Sequence, residues 1–302
     1  VSRIGASSST IKTRTDRGYI GKECSTATGR APMLAKMRLP ASAAVRASVD
    51  RLEVPFNELE LDPYGVRKNE VAFAMSALGF FYEKYFRVRV HGIDNVPARG
   101  RAMLVGNHSG GWAVDGMMVL ASCFYEMEPP RLVQSMADKF MYKIPFLSAL
   151  NARTGNFVGL PENAEHLLRN ERLLMVFPEG ARGTAKLYWE RNSLLDFGTG
   201  FMRLALKTNT PIIPFAFIGG GEAIPTIANL YKLGRRFGVP YIPVTPYGVA
   251  LPRPVPLDVH YGPAMHPRGT GDEEDAVIQA QVERVKAEVR RLMDFGSQDK
   301  RR

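Results

Sequence analysis

The chain has 302 residues, 45% of them hydrophobic and 23% charged, so it can bury a sizeable core, and even with 21 prolines this composition does not suggest a disordered protein. Its net charge of +10 is uneven: residues 1–50 carry nine Lys/Arg against three acids, and the remainder 31 against 27. A basic front suits anionic lipid headgroups or nucleic acid by charge alone, but no zinc-finger spacing or aromatic-interleaved basic stripe accompanies it, so a membrane surface ranks above nucleic acid as partner.

Residues 1–48 are rich in Ser, Thr and Arg and nearly free of acid, as an organelle transit peptide is. The chain opens on Val1, with Met33 and Met37 as alternative starts, and residues 1–50 are expected to be a basic, disordered leader. Residues 51–86 are expected to be an N-terminal helical, membrane-associating segment: the turn-rich VPFNELELDPYG is followed by NEVAFAMSALGFFYEKYF at 69–86. There Val71, Met75, Leu78, Tyr82 and Tyr85 share one helical face, broadened by Phe73, Phe80, Phe81 and Phe86. A core helix and a helix lying in a membrane interface fit that pattern equally. No run approaches the roughly 18 apolar residues of a spanning helix. Cys24 and Cys123 are too few for a disulfide scaffold, fit a reducing compartment, and read as a spare thiol and a small buried hydrophobe.

From Phe86 onward strands and helices alternate. Strands are predicted at 86–91, 102–106, 131–135, 173–177, 212–218 and 257–261, and helices at 115–125, 137–142, 161–170, 198–208 and 273–295. That order predicts an α/β fold with a mixed, mostly parallel sheet flanked by helices, forming a single catalytic domain over 87–295.

Two segments carry chemistry. In VGNHSGGWAVDG (105–116) a buried strand delivers His108 and then Asp115 on a glycine-containing loop. Histidine suits the removal of a hydroxyl proton near neutral pH, and a carboxylate on its other nitrogen fixes the tautomer and stabilises the imidazolium. Gly110 and Gly111 permit close backbone approach. The plainer alternative is an Asp115 that caps the following helix and a His108 that is an ordinary loop residue. In LLMVFPEGARGT (173–184) a strand stops at Pro178 and displays Glu179, Gly180 and Arg182 at a strand end, where α/β sheets bind ligands. Arg182 can grip a phosphate or carboxylate, and Glu179 can accept from a hydroxyl or hold the loop through backbone bonds.

Together and in this order, NHSGGWAVD and FPEGARG resemble the paired blocks of the glycerophospholipid acyltransferase family. PIIPFAFIGGGEAIP from Pro211 is similar to its proline-containing strand block, and RTGNFVGLPENAEHLL from Arg153 falls where its second block belongs. The resemblance covers roughly 87–261. It implies O-acyl transfer from acyl-CoA or acyl-ACP to a lysophospholipid or glyceride hydroxyl, with no bound cofactor or metal. His108 would be the general base, Asp115 its orienting partner, and Glu179, Gly180 and Arg182 the acceptor-binding group. Asn107, Ser109 and Gly110 complete the expected substrate-contacting set. A lipid esterase or thioesterase, and a silent lipid-binding protein, are the alternatives. Ser109 lacks the G-x-S-x-G elbow of a hydrolase nucleophile.

The sequence departs from the family pattern twice. Six residues separate His108 from Asp115, where the family has four. Where its second block presents an arginine, Gly159, Leu160 and Pro161 stand here, with Arg153 ahead of the block as a substitute, which weakens the case for lysophosphatidate and raises a neutral acceptor in rank. The implied location is peripheral, on the cytoplasmic face of a membrane, or an organelle if residues 1–48 are a transit peptide.

Overall fold

The structure, a computed structural model, describes residues 40–109, 114–137, 147–248 and 251–300. Its main sheet has seven strands: β1 (Arg89–His91), β2 (Ala102–Gly106), β3 (Val133–Ala137), β4 (Asn156–Val158), β5 (Leu173–Val176), β6 (Ile212–Ile218) and β9 (Asp258–Tyr261), in the order β1-β9-β6-β2-β5-β3-β4. β6, β2, β5, β3 and β4 run parallel, while β9 is antiparallel to β6 and parallel to β1. The mixed, mostly parallel sheet is the one expected. A separate two-stranded hairpin pairs β7 (Ala228–Asn229) with β8 (Pro243–Val244).

The central strands read as continuous apolar runs because helices cover both faces. Alternate residues feed two cores. Leu104, Ile213, Phe215 and Phe217 face α1 (Ala43–Asp50), α2 (Lys68–Gly79) and α3 (Val114–Tyr125). Met103, Val105, Ile212 and Ala216 face α5 (Pro161–Arg169), α7 (Gly200–Thr208) and α10 (Asp275–Asp299), whose Ile278, Val282, Val285, Val289 and Leu292 form one buried stripe. Helix α4 (Leu147–Thr154) precedes β4. The helix expected at 137–142 lies outside the described residues, apart from Ala137, which ends β3.

Two expectations are corrected. The ordered chain reaches back into the leader expected over 1–50: the Ser42 hydroxyl caps α1 by accepting from the Val45 N–H, and Val45 and Val49 are buried against α2. An i, i+4 apolar pair inside a basic stretch was enough to nucleate packing. The uniform helix expected over 69–86 is α2 followed by a π-helical turn over Phe80–Tyr85. Gly79 lies at the change, where an added Cβ would sit 2.5 Å from the Tyr125 hydroxyl, and the π turn sends Tyr82 and Phe86 inward. Val71, Ala72 and Met75 also pack inward, so most of the apolar face of this segment is core, leaving Phe80 (58%) and Phe81 (42%) exposed. Among the described residues no helix is long and apolar enough to cross a membrane. Cys123 is buried, and burial pushes its thiol up to about 11.

His260 on β9 stacks on His91 of β1, with ring centroids 4.2 Å apart and planes 5° apart. Burial, reinforced by the neighbouring His91, holds His260 down at about 4. Its folded value lies below the unfolded 6.5, so the unfolded chain takes up the proton first. Stability is therefore complete above 6.5 and is lost as pH falls towards 4, by roughly 2 kcal/mol once solvent screening is allowed for. Chemical-denaturation midpoints across that window should fall, and His260→Gln should flatten the dependence.

Candidate active site

The C-terminal ends of the parallel strands β2, β5 and β6 bring three loops together. β2 ends at Gly106, where a side chain would collide with the Phe215 ring at 2.4 Å. The next residue extends the strand pairing by its side chain: the Asn107 amide accepts from the Phe217 N–H (2.8 Å) and donates to the Phe217 carbonyl (3.1 Å). That extra rung turns the chain so that His108 faces the loop after β5.

His108 is gripped on every side but one. Its backbone N–H donates to Glu179 Oε1 (2.8 Å), and its carbonyl accepts from Lys186 Nζ (2.8 Å). Its ring lies flat on Phe177, centroids 3.9 Å apart and 11° from parallel. Nδ1 is 2.9 Å from Asp115 Oδ2. The sixth intervening residue has not broken the pair. Because the carboxylate accepts from Nδ1–H, Nε2 is the nitrogen with a lone pair, and it makes no hydrogen bond with any described residue.

Asp115 is fully buried in the first turn of α3. Burial alone would raise its carboxyl, but His108 and the N–H groups of Ser109 and Gly116 outweigh that and hold it below the ordinary carboxylate range. Oδ2 also accepts from the Ser109 hydroxyl at 3.3 Å. Asp115 is thus not a helix cap; its carboxylate is turned back onto the histidine loop.

Glu179 is the second buried carboxylate. Oε1 serves His108, and Oε2 accepts from the Leu195 N–H (2.9 Å) and pairs with Lys186 Nζ (2.6 Å). Both oxygens are therefore used inside the protein. Of the two roles open to it in the sequence, the geometry realises loop holding, not acceptor contact, and Asn107 is likewise committed to backbone. Burial lowers the Lys186 ammonium against the opposing pull of Glu179.

Gly180 has φ +59 and ψ −157, a region essentially restricted to glycine, and so lets α6 (Ala181–Thr184) start at once after Glu179. Gly183 brings that turn onto the histidine: an added Cβ would lie 2.7 Å from His108 Cβ and 2.8 Å from Glu179 Cβ. Arg182, one residue earlier, is exposed and has no side-chain hydrogen bond or ion pair among the described residues. A phosphate gripped by Arg182 would call for a second cation, for which Arg153, Lys186 and Arg203 are within sequence reach; Lys186 is buried in the framework. Arg153 is 3.8 Å from Glu70, and Arg203 is held by the Gly271 and Glu273 carbonyls and Asp275. Gly110 lies outside the described residues.

Sequence reasoning missed Phe177 as a platform, Lys186 as framework, and Gly220, which sits so close to Ser109 that a Cβ there would meet Oγ at 1.9 Å. The signals were present in the residue before Pro178, in the second glycine of GARG and in the Gly219–Gly221 run. Among the described residues a single group, His91, Asp258 and His260, offers three clustered metal-ligand atoms, but Arg89 already takes both Asp258 oxygens at 2.6 and 3.0 Å.

Residues 87–218 match the family model described as Acyltransferase. That segment of the chain is similar to the acyltransferase family. The resemblance to glycerophospholipid acyltransferases drawn from NHSGGWAVD and FPEGARG therefore stands. An uncharacterised protein of Mycobacterium tuberculosis is 35% identical over 176 residues, covering 58% of this chain and 49% of the relative. The human protein named DGAT1/2-independent enzyme synthesizing storage lipids is 27% identical over 179 residues, covering 56% and 54%. The chain spans about half the length of these curated relatives. In fold, the chain is similar to the crystal structure of the 1-acyl-sn-glycerophosphate acyltransferase PlsC from Thermotoga maritima, with a TM-score of 0.53 and 18% identity over 76% of this chain and 82% of that one.

Proposed function

We propose that the protein transfers a fatty acyl group from a thioester carrier, acyl-CoA or acyl-ACP, to a glycerolipid hydroxyl at a membrane surface, with His108 as general base. The carrying observation is the buried His108–Asp115 pair at the strand ends, with Nε2 left free. The acceptor O–H gives its proton to Nε2 as its oxygen attacks the thioester carbonyl. The tetrahedral adduct then collapses, the C–S bond breaks, and the imidazolium returns the proton to the departing thiolate. Asp115 stabilises the imidazolium between the two transfers. No acyl-enzyme forms, and Ser109 serves Asp115 rather than attacking.

A neutral glyceride fits as acceptor better than a lysophosphatidate. Phosphate close to −2 needs more than one cation to offset its desolvation, and Arg153, Lys186 and Arg203 are each engaged with a carboxylate instead of joining Arg182. Labelled acyl-CoA supplied with a panel of lysolipids and glycerides tests the reaction; release of free fatty acid without any acceptor product would replace transfer by hydrolysis. Arg182→Ala should leave KM for a monoacyl- or diacylglycerol within about threefold. If the acceptor carries phosphate, the same change should cost about 2–5 kcal/mol in kcat/KM.

A further inference from the structure

The segment between β6 and β9 lies beyond the residues that match the family model, and it builds a surface of its own. The hairpin β7–β8 carries a short helix, α9 (Tyr231–Arg236), at its tip. Gly234 is pressed on the Tyr241 backbone, where a Cβ would lie 2.5 Å from its Cα, and the Tyr231 and Tyr241 rings meet edge to face. The hairpin is joined to the active-site turn: the Tyr188 N–H donates to the Thr226 carbonyl (2.7 Å), and Asn229 Nδ2 to the Ala185 carbonyl (2.6 Å). Its base, starting at Gly220, packs on Ser109.

What this framework displays is apolar and cationic. Leu230, Tyr231, Leu233 and Phe237 are exposed, Phe237 to 68%, as is Trp189 on the joined turn, to 64%. Lys232, Arg235 and Arg236 alternate with them, all exposed, and their side chains make no ion pair or hydrogen bond among the described residues. No acid occurs between Glu222 and Asp258, whereas four Lys/Arg do, which equals the whole cationic excess of residues 51–302. Glu190 is the acid nearest in sequence to Trp189, and it is turned back to accept from the Leu187 N–H.

We infer that residues 227–237, with Trp189, are a docking surface for an anionic lipid bilayer, which seats the protein with its His108 loop next to the membrane. Large aromatic and aliphatic side chains enter the headgroup–acyl boundary, and interleaved Lys and Arg meet lipid phosphates. A protein partner would be expected to supply acids in fixed positions, whereas three free cations on a six-residue helix suit a fluid anionic surface. This places membrane contact on the hairpin and not chiefly on the 69–86 helix, whose apolar face is mostly core.

The test needs no acyl donor, so it is separable from the proposed reaction. The full chain is mixed with phosphatidylcholine vesicles, with and without phosphatidylglycerol, and binding is read by flotation. Lys232→Ala/Arg235→Ala/Arg236→Ala should weaken binding to the anionic vesicles by roughly 100-fold at moderate salt, with little change on phosphatidylcholine alone. Leu233→Ser/Phe237→Ser should weaken both, and Phe80→Ser/Phe81→Ser should do less. All replaced groups are exposed, so circular dichroism and Tm should match the parent. Trp112→Phe leaves Trp189 as the sole indole, and its emission should shift to the blue and be quenched by brominated acyl chains. Parent-like binding by both hairpin variants, or an unquenched Trp189, would overturn the inference. So would a parent protein that ignores anionic vesicles and instead self-associates through this face.

Discussion

Replacing His108 by alanine should lower acyl transfer to a trace of the parental rate, by about 10²–10⁴-fold. In the proposed mechanism that is the contribution of general-base removal of the acceptor proton, and among the described residues of the site His108 Nε2 is the nitrogen placed to provide it. The loss should fall on kcat if, as proposed, Nε2 acts on a proton that moves only in the transition state. Stability should change modestly: the ring is lost from the Phe177 face, but the hydrogen bonds of the His108 backbone N–H to Glu179 and of its carbonyl to Lys186 are untouched. Asp115→Asn separates base from orienter. Its amide would present an N–H towards Nδ1 and force the proton onto Nε2, the wrong tautomer for accepting from a hydroxyl, with an expected loss of about 10³–10⁴-fold. Since Asp115 is held below the ordinary carboxylate range, it stays ionised through the neutral region, and an acid limb in the rate profile does not report its protonation. Initial rates with labelled acyl-CoA check both variants. Undiminished transfer by His108→Ala would discard the mechanism, whichever acceptor is used.

What could be read from the sequence, and what could not, divides by the range of the forces involved. AMLVG, LLMV and IIPFAFI announce themselves as buried parallel strands because continuous apolar runs need cover on both faces. The histidine and aspartate were legible as a pair because a short loop keeps them near each other whatever the rest does. Which of its two possible roles Glu179 takes was not legible, since nothing local shows that folding will bury it with Lys186, seven residues on, and turn both onto the His108 peptide. Asn107 is similar: an amide after a strand gives no sign that it will pair with Phe217, 110 residues away. The break from α2 into a π turn depends on Tyr125 arriving against Gly79, which periodicity cannot register. The hairpin was hidden by Pro225, Pro240, Pro243 and Pro246, which erase any regular pattern between its short strands.

Glu179→Gln should be the most damaging isosteric change in the site. The carboxylate accepts from two backbone N–H groups and an ammonium, all away from water. A glutamine must turn its NH₂ towards at least one of those donors and leaves the Lys186 charge uncompensated. Breaking a buried pair from one side costs about 3–5 kcal/mol, which for a domain of this size lowers Tm by roughly 10 °C. Below that temperature the folded fraction should still be slow, because the His108 peptide loses its tether and an ångström of displacement can cost about 100-fold in rate. The division between kcat and KM identifies the role. A holding residue lowers kcat and leaves acceptor KM near the parent value, whereas a residue that touches the acceptor raises KM. Adding Lys186→Met to Glu179→Gln should restore much of the lost Tm, since the stranded charge goes with it, and should restore little activity, since the His108 carbonyl also loses its donor. A Glu179→Gln protein with parental Tm and a raised acceptor KM would return Glu179 to the acceptor and leave the His108 loop to be held by something else.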